Sequence, residues 1–241
     1  MIEILLMGFL LGMRHAMESD HVAAVASLVT KSPSMRDSIR LGSMWGLGHT
    51  LTLFVFGSAV MLLDHMIPER MALMLEFTVG IMLVLLGIDV VRRFMHERVH
   101  FHAHRHADGT LHFHAHAHRD EAAHAAEHSS LKHEHKHAGA FPLRALFVGI
   151  MHGMAGSAAL IVLTLQTVQS FGLGLIYIAL FGLGSIGGMA ALSVAIMLPL
   201  RQSARRYAGL HQYLQLGIGA ATTLLGISMM IDIGTSGGLL G

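Results

Sequence analysis

Ionisable residues inside an apolar run are the first feature of this 241-residue chain: Arg14-His15-Ala16-Met17-Glu18-Ser19-Asp20-His21 falls within the stretch from Ile2 to Val29. Single histidines, His49 and His152, interrupt two later apolar stretches, and the chain holds 20 His, 18 Met and no Cys. Each such group is costly at membrane depth, so a partner or a substrate is the default expectation. Imidazole and carboxylate together, without thiolate, suit a divalent first-row ion such as nickel, cobalt or zinc, whereas oxygen-only sites suit magnesium or calcium. A copper(I) path would lean on thioethers; Met13, Met17, Met151 and Met154 flank the histidines, but methionine in an apolar helix is first of all packing. The lack of Cys removes disulfides, thiolate zinc sites, cysteine nucleophiles and dithiol exchange.

Spacing poses a problem for any shared ion. On a straight helix His15 and His21 stand about 9 Å apart along the axis and about 120° around it. Either the helix unwinds between Ala16 and Ser19, exposing backbone carbonyls, or one residue serves from behind, for instance Asp20 orienting an imidazole ring.

The elements that must position these groups are apolar. The chain is 53% apolar and 13% charged, and 16 Lys and Arg against 15 Asp and Glu leave a net charge of +1, too little to build a nucleic-acid surface. Six stretches approach or exceed the roughly 20 residues a bilayer-crossing helix needs. They run from Ile2 to Val29, Ser38 to Leu63, Met71 to Val91, Phe141 to Val168, Phe171 to Leu198 and Leu210 to Ile233. The first opens without a basic segment and is expected to be retained rather than cleaved as a signal. Fourteen of the 16 Lys and Arg fall in the first, third and fifth loops and the chain flanking them, and Arg70 alone falls on the other face. By the positive-inside rule both termini lie outside the cytoplasm of a bacterial-type inner (plasma) membrane.

The halves of the chain echo each other. Gly12-Met13-Arg14-His15-Ala16-Met17 returns 137 residues later as Gly149-Ile150-Met151-His152-Gly153-Met154, and Trp45-Gly46-Leu47-Gly48-His49 returns 136 later as Phe181-Gly182-Leu183-Gly184-Ser185. Leu85-Leu86-Gly87-Ile88 returns 139 later as Leu224-Leu225-Gly226-Ile227. A repeat of three spans must enter the membrane the other way up, and in inverted-repeat transporters the substrate site lies near the midplane where the copies meet. The expected architecture is an all-α integral membrane protein with six transmembrane helices as an inverted 3+3 repeat. Residues 1–95 form the first repeat, 96–140 a His-rich cytoplasmic loop and 141–241 the second repeat. Asp20 and His21 are matched by Ser157 and Ala158, so the first copy carries most of the ligand chemistry.

Fourteen histidines lie between His96 and His137. His100, His102, His104 and His106 alternate with other residues, as do His112, His114, His116 and His118, with Asp108-Gly109 between, which is a hairpin signal. Facing His106 with His112 would put His104, His102 and His100 opposite His114, His116 and His118. An isolated hairpin is marginal in water, so without metal the segment is expected to be a disordered metal-buffering tract.

His15, four residues, then Asp20-His21, with Arg14 before and Val22-Ala23 after, resembles the H-x-x-x-x-D-H signature of the nickel/cobalt transporter family. Leu47-Gly48-His49-Thr50 is similar to that family's L-G-H-S/T motif. The resemblance covers roughly 200 residues, the spans themselves, and implies a secondary transporter of Ni²⁺ or Co²⁺ with His15, Asp20, His21 and His49 as substrate ligands or selectivity residues. The acidic L-G-x-D-T-A-T-E motif of the eight-span members is missing, and the corresponding stretch reads Gly149-Ile150-Met151-His152-Gly153-Met154-Ala155-Gly156-Ser157. The chain looks more like the short six-span relatives grouped with urease-accessory and metal-efflux membrane proteins. A related branch that moves electrons through paired Cys is excluded by composition.

The sequence thus points to a transporter, not an enzyme, moving Ni²⁺ or Co²⁺, with Zn²⁺ open, by alternating access. Its expected metal site is His15, Glu18, Asp20, His21, His49 and His152, with the eight alternating loop histidines auxiliary. No permanent cofactor is expected; the partners are the metal ion, the lipid bilayer and a candidate metallochaperone, and export is the favoured direction. The rival is a membrane metal sensor or metallochaperone that stores ions without translocating them. A zinc-dependent intramembrane protease is a third idea, but His15, Asp20 and His21 do not have the H-E-x-x-H spacing, and the chain has no phosphate-binding G-x-x-x-x-G-K-[ST] loop.

Overall fold

A computed structural model describes residues 2–63, 68–96, 99–105, 111–117, 142–167, 170–206 and 208–236. Among them are seven helices: α1 (Ile2–His15), α2 (Ser19–Val29), α3 (Met35–Leu63), α4 (Glu69–His96), α5 (Leu143–Thr167), α6 (Phe171–Arg206) and α7 (Ala208–Ser236). Helices occupy all six places where the apolar stretches predict them. By length and composition α3, α4, α6 and α7 can each cross a membrane, while α1 and α2 are shorter apolar helices. The first stretch, taken as one span above, is two helices parted at Ala16–Glu18.

Local chemistry starts several of these helices. Ser34 caps α3: its hydroxyl accepts from the Asp37 backbone N–H at 3.2 Å and donates to the Asp37 carboxylate at 2.5 Å. Pro68 and Pro142 stand just ahead of α4 and α5, their carbonyls accepting the first helical N–H groups.

The exterior is apolar and the interior holds polar groups, the reverse of a soluble bundle. Leu51, Val55, Leu62, Leu85, Leu183 and Leu224 are more than half exposed, while His21, His49, His152, Ser27, Ser185 and Thr222 are buried. The Ser27 hydroxyl donates to Thr222 Oγ1 at 2.9 Å, tying α2 to α7. Membrane helices pack this way, through small residues and interhelical hydrogen bonds.

Glycines set the closest approaches, and these come in matched pairs. A Cβ on Gly12 would lie 2.0 Å from the Phe181 carbonyl oxygen, and one on Gly149 would lie 2.1 Å from that of Trp45. Gly48 abuts the Leu146 carbonyl as Gly184 abuts that of Phe9, and Gly80 meets Gly226 as Gly87 meets Gly219. Under the offsets of 136 to 139 residues seen in the sequence, each contact maps onto its counterpart. The order of contacts along each helix also fixes direction. Gly8, Gly12 and Ala16 meet Tyr177, Phe181 and Gly188, so α1 and α6 run the same way, as do α3 and α5 through Trp45–Gly149 and His49–Gly153. Gly42 and Thr50 meet Ser193 and Gly182, so α3 opposes α6, and α4 opposes α7. It follows that α1 opposes α5.

Between α4 and α5, β1 (Val99–Arg105) pairs antiparallel with β2 (Leu111–Ala117). The expectation of a disordered tract is corrected over these residues, and so is the register: His100, His102 and His104 pair with His116, His114 and His112. A shift of two residues preserves the alternation, so the period-two pattern is satisfied equally by either register. His106 and His118 lie outside the described residues.

Candidate metal centre

His15 ends α1 and His21 lies in the first turn of α2, and the break between them brings their rings to 4.4 Å centroid to centroid. Tight turns make the break: the Met17 N–H donates to the Arg14 carbonyl at 2.9 Å and the Glu18 N–H to that of His15 at 3.0 Å. Glu18 then takes an extended backbone (φ −65, ψ 151), and the Val22 N–H donates to its carbonyl as α2 begins. His49 enters from the middle of α3 and His152 from α5, with His21–His152 centroids 4.2 Å apart and His21–His49 5.2 Å apart. Both expected solutions to the spacing problem are therefore present: the helix is broken, and Asp20 orients rings.

Two carboxylates fix three tautomers. His21 Nδ1–H donates to Asp20 Oδ1 at 3.0 Å, His152 Nε2–H to Asp20 Oδ2 at 2.9 Å, and His15 Nδ1–H to Glu18 Oε1 at 2.9 Å. His15 Nε2 is left to accept, and it sits 3.2 Å from His49 Nε2. That separation serves a hydrogen bond, and it also matches the roughly 2.9–3.4 Å between neighbouring nitrogens that each lie about 2.0–2.1 Å from one ion. His21 Nε2, His49 Nδ1 and His152 Nδ1 are buried without a hydrogen-bond partner. Each such lone pair costs about 1–3 kcal/mol when left unsatisfied, and a cation would satisfy it.

Donor atoms of His15, His21 and His49 lie within 4.8 Å of one another, as do those of Asp20, His21 and His152. All six residues singled out for the intramembrane site are gathered here, with Glu18 at the exposed edge. The loop histidines are not: of the eight, six lie on β1 and β2. The aromatic frame was missed by sequence reasoning. Phe181 of α6 sits 5.3 Å from the His15 ring and Trp45 of α3 sits 5.4 Å from the His152 ring. The repeat carried the signal, because it matches Trp45 with Phe181 and His15 with His152. Ser185, the repeat counterpart of His49, is fully buried with its hydroxyl unpartnered.

A helical bundle with an apolar exterior that encloses a histidine–carboxylate cluster at a helix break has the donor set to hold a divalent metal ion. The chain is 36% identical over 241 residues to the urease accessory protein UreH of Bacillus sp. (strain TB-90), covering 99% of this chain and 95% of that one. It belongs to the nickel/cobalt transporter-type family that includes UreH. It is also 25% identical over 230 residues to a Methanocaldococcus jannaschii protein named provisionally as a nickel/cobalt efflux system, covering 91% and 88% of the two chains. No family model and no solved structure matches the chain.

Proposed function

We propose that this protein is a six-span secondary transporter of Ni²⁺ or Co²⁺ that works by alternating access at a midplane site built from His15, Asp20, His21, His49 and His152, with Glu18 at its rim. The buried cluster carries this reading: imidazoles with unpartnered nitrogens meet where a helix is broken. A polypeptide keeps such groups inside a bilayer when an ion is to satisfy them. The matched glycine contacts and opposed helix directions support an inverted 3+3 repeat, with residues 1–95 and 141–241 as its halves and 96–140 as a cytoplasmic histidine-rich loop. Rocking one half against the other exposes the site to either side.

Ligand imidazoles must be neutral to bind metal, so binding displaces protons and makes proton exchange or the membrane potential the energy source. Export is the favoured direction, since a cytoplasmic loop rich in histidine collects scarce ions for the site. The name of the M. jannaschii relative leans the same way. A second reading, metal supply in support of urease, draws on the name of the Bacillus relative and reverses the direction.

The test is movement of radioactive nickel and cobalt by purified protein in vesicles, with uptake and efflux followed separately. Accumulation above protein-free vesicles is expected for wild type and not for His21→Ala. Metal bound to the protein with none entering the lumen would replace transport with storage or sensing.

A further inference from the structure

The intramembrane cluster is not one ring of donors around one point. Its donor atoms divide into two triplets, each confined within 4.8 Å: His15, His21 and His49, and Asp20, His21 and His152. His21 alone belongs to both, and its ring lies between the others, 4.4 Å from His15 and 4.2 Å from His152. The triplets differ in chemistry. The first offers three neutral imidazole nitrogens, while the second offers two nitrogens and a carboxylate oxygen.

We infer that the transported ion occupies two overlapping stations in turn, with His21 a ligand in both, through Nε2 in the first and through Nδ1 in the second. The inference rests on the transport reading above and adds how the ion moves within the site. In the first station His21 presents Nε2, which is buried and unpartnered, while its Nδ1–H remains on Asp20. Glu18 orients His15 in the same way. Entering the second station turns Asp20 from acceptor of two imidazole N–H groups into a ligand. As the ion leaves His21 Nε2, the proton on His21 Nδ1 gives way to one on the vacated Nε2, and the proton on His152 Nε2 to one on Nδ1, unpartnered until then. No proton is lost in this exchange of neutral tautomers. Two divalent ions that shared His21 would stand only a few ångströms apart and repel strongly, so one ion is held at a time.

The design has a chemical merit for a carrier. The two stations adjoin and share a residue, so new donors are within reach as old ones are released in a medium that cannot rehydrate the ion. An all-nitrogen station favours nickel, cobalt or zinc over magnesium and calcium, and the carboxylate station places a negative charge on the ion's path.

Cobalt binding to the full-length chain tests this, with the fourteen histidines from His96 to His137 replaced by Gln so that only intramembrane donors report. Stoichiometry is read by titration and ligand type by visible and X-ray absorption. One Co²⁺ per chain is expected in this background and again in His49→Gln and His152→Gln. In His49→Gln the protein donors are mixed nitrogen and oxygen, and in His152→Gln they are nitrogen alone. His21→Gln weakens binding at least about 100-fold, and all three variants lose transport in vesicles. Should His21→Gln fail to elute as a single species, the double variant His49→Gln/His152→Gln, with His21 intact, must lose cobalt as well. Loss of cobalt in His49→Gln and in His152→Gln alike would overturn the inference in favour of one undivided site, as would identical ligand spectra in the two. Failure of the unmodified protein to move metal in vesicles is a separate outcome that strikes the transport reading while leaving the binding result to judge the stations.

Discussion

Asp20 carries more of the site than any single histidine, because one carboxylate holds two imidazoles from two different helices, at 3.0 and 2.9 Å. Glu18 holds one, His15, and is more than half exposed. Outer partners of this kind are worth about 10–100-fold when removed, and burial pushes Asp20 to the upper end. Asp20→Asn is therefore expected to lower the initial rate of nickel or cobalt transport about 100-fold, since the amide NH₂ cannot accept from the second ring. Glu18→Gln, which keeps a carbonyl acceptor, is expected to lower it less than about tenfold. Equal losses in vesicle assays would contradict this ranking. The six polar residues were legible in the sequence because ionisable groups stand out in an apolar run. Which nitrogen each ring offers was not legible, since that depends on how Asp20 of α2 and Glu18 at the break meet rings from α1, α2 and α5 in the folded chain. Trp45 and Phe181 escaped notice for the opposite reason: an aromatic residue in an apolar helix looks like ordinary packing.

The broken first span shows tertiary structure overriding local preference. Ala16, Met17 and Glu18 are among the better helix formers, so propensity alone carries the helix straight through. Packing decides otherwise. Ala16 is fully buried against α6, where a Cβ on Gly188 would lie 2.7 Å from the Ala16 Cβ and 3.0 Å from the Met13 carbonyl oxygen. The neighbouring Gly187 has nothing within 4 Å of the same position, which makes the pair an internal control. Gly188→Val is expected to lower the melting temperature in detergent by several degrees and to cut transport, because it forces α6 away from the end of α1. Gly187→Ala is expected to leave both unchanged or raise stability slightly, by removing a helix glycine worth about 0.5–1 kcal/mol. A Gly188→Val protein as stable and active as wild type would show that this contact does not hold the break. The sequence offered unwinding near Ala16 to Ser19 as one of two solutions, and it did so from the ligands' needs and not from any breaker residue.

At the scale of the molecule, composition and the six apolar stretches sufficed for the all-helical body. The hairpin within the histidine-rich segment depends on cross-strand pairing over a short span, which alternation suggests but cannot fix in register. Orientation is open to a clean measurement because the chain has no Cys, so any introduced thiol is a unique reporter. Pro33 and Glu69 are exposed at opposite ends of α3 and its following turn. Glu69→Cys is expected to react with a membrane-impermeant maleimide in intact cells, and Pro33→Cys only after the membrane is permeabilised. The reverse pattern would invert the topology and place the histidine-rich segment outside.

The halves of this protein are similar without being equal, and that difference bears on its resting state. On the inverted-repeat reading, were the two halves identical, exchanging their roles would regenerate the same molecule, and inward-facing and outward-facing forms would have the same free energy. The break at Ala16–Glu18 has no counterpart in α5, which runs unbroken past the equivalent position, and His49 is matched by Ser185. Each such inequality lifts the degeneracy, and about 1.4 kcal/mol suffices for a tenfold bias between the two forms. On the alternating-access reading the empty carrier therefore idles facing one side of the membrane, a built-in preference that no ion gradient has to supply.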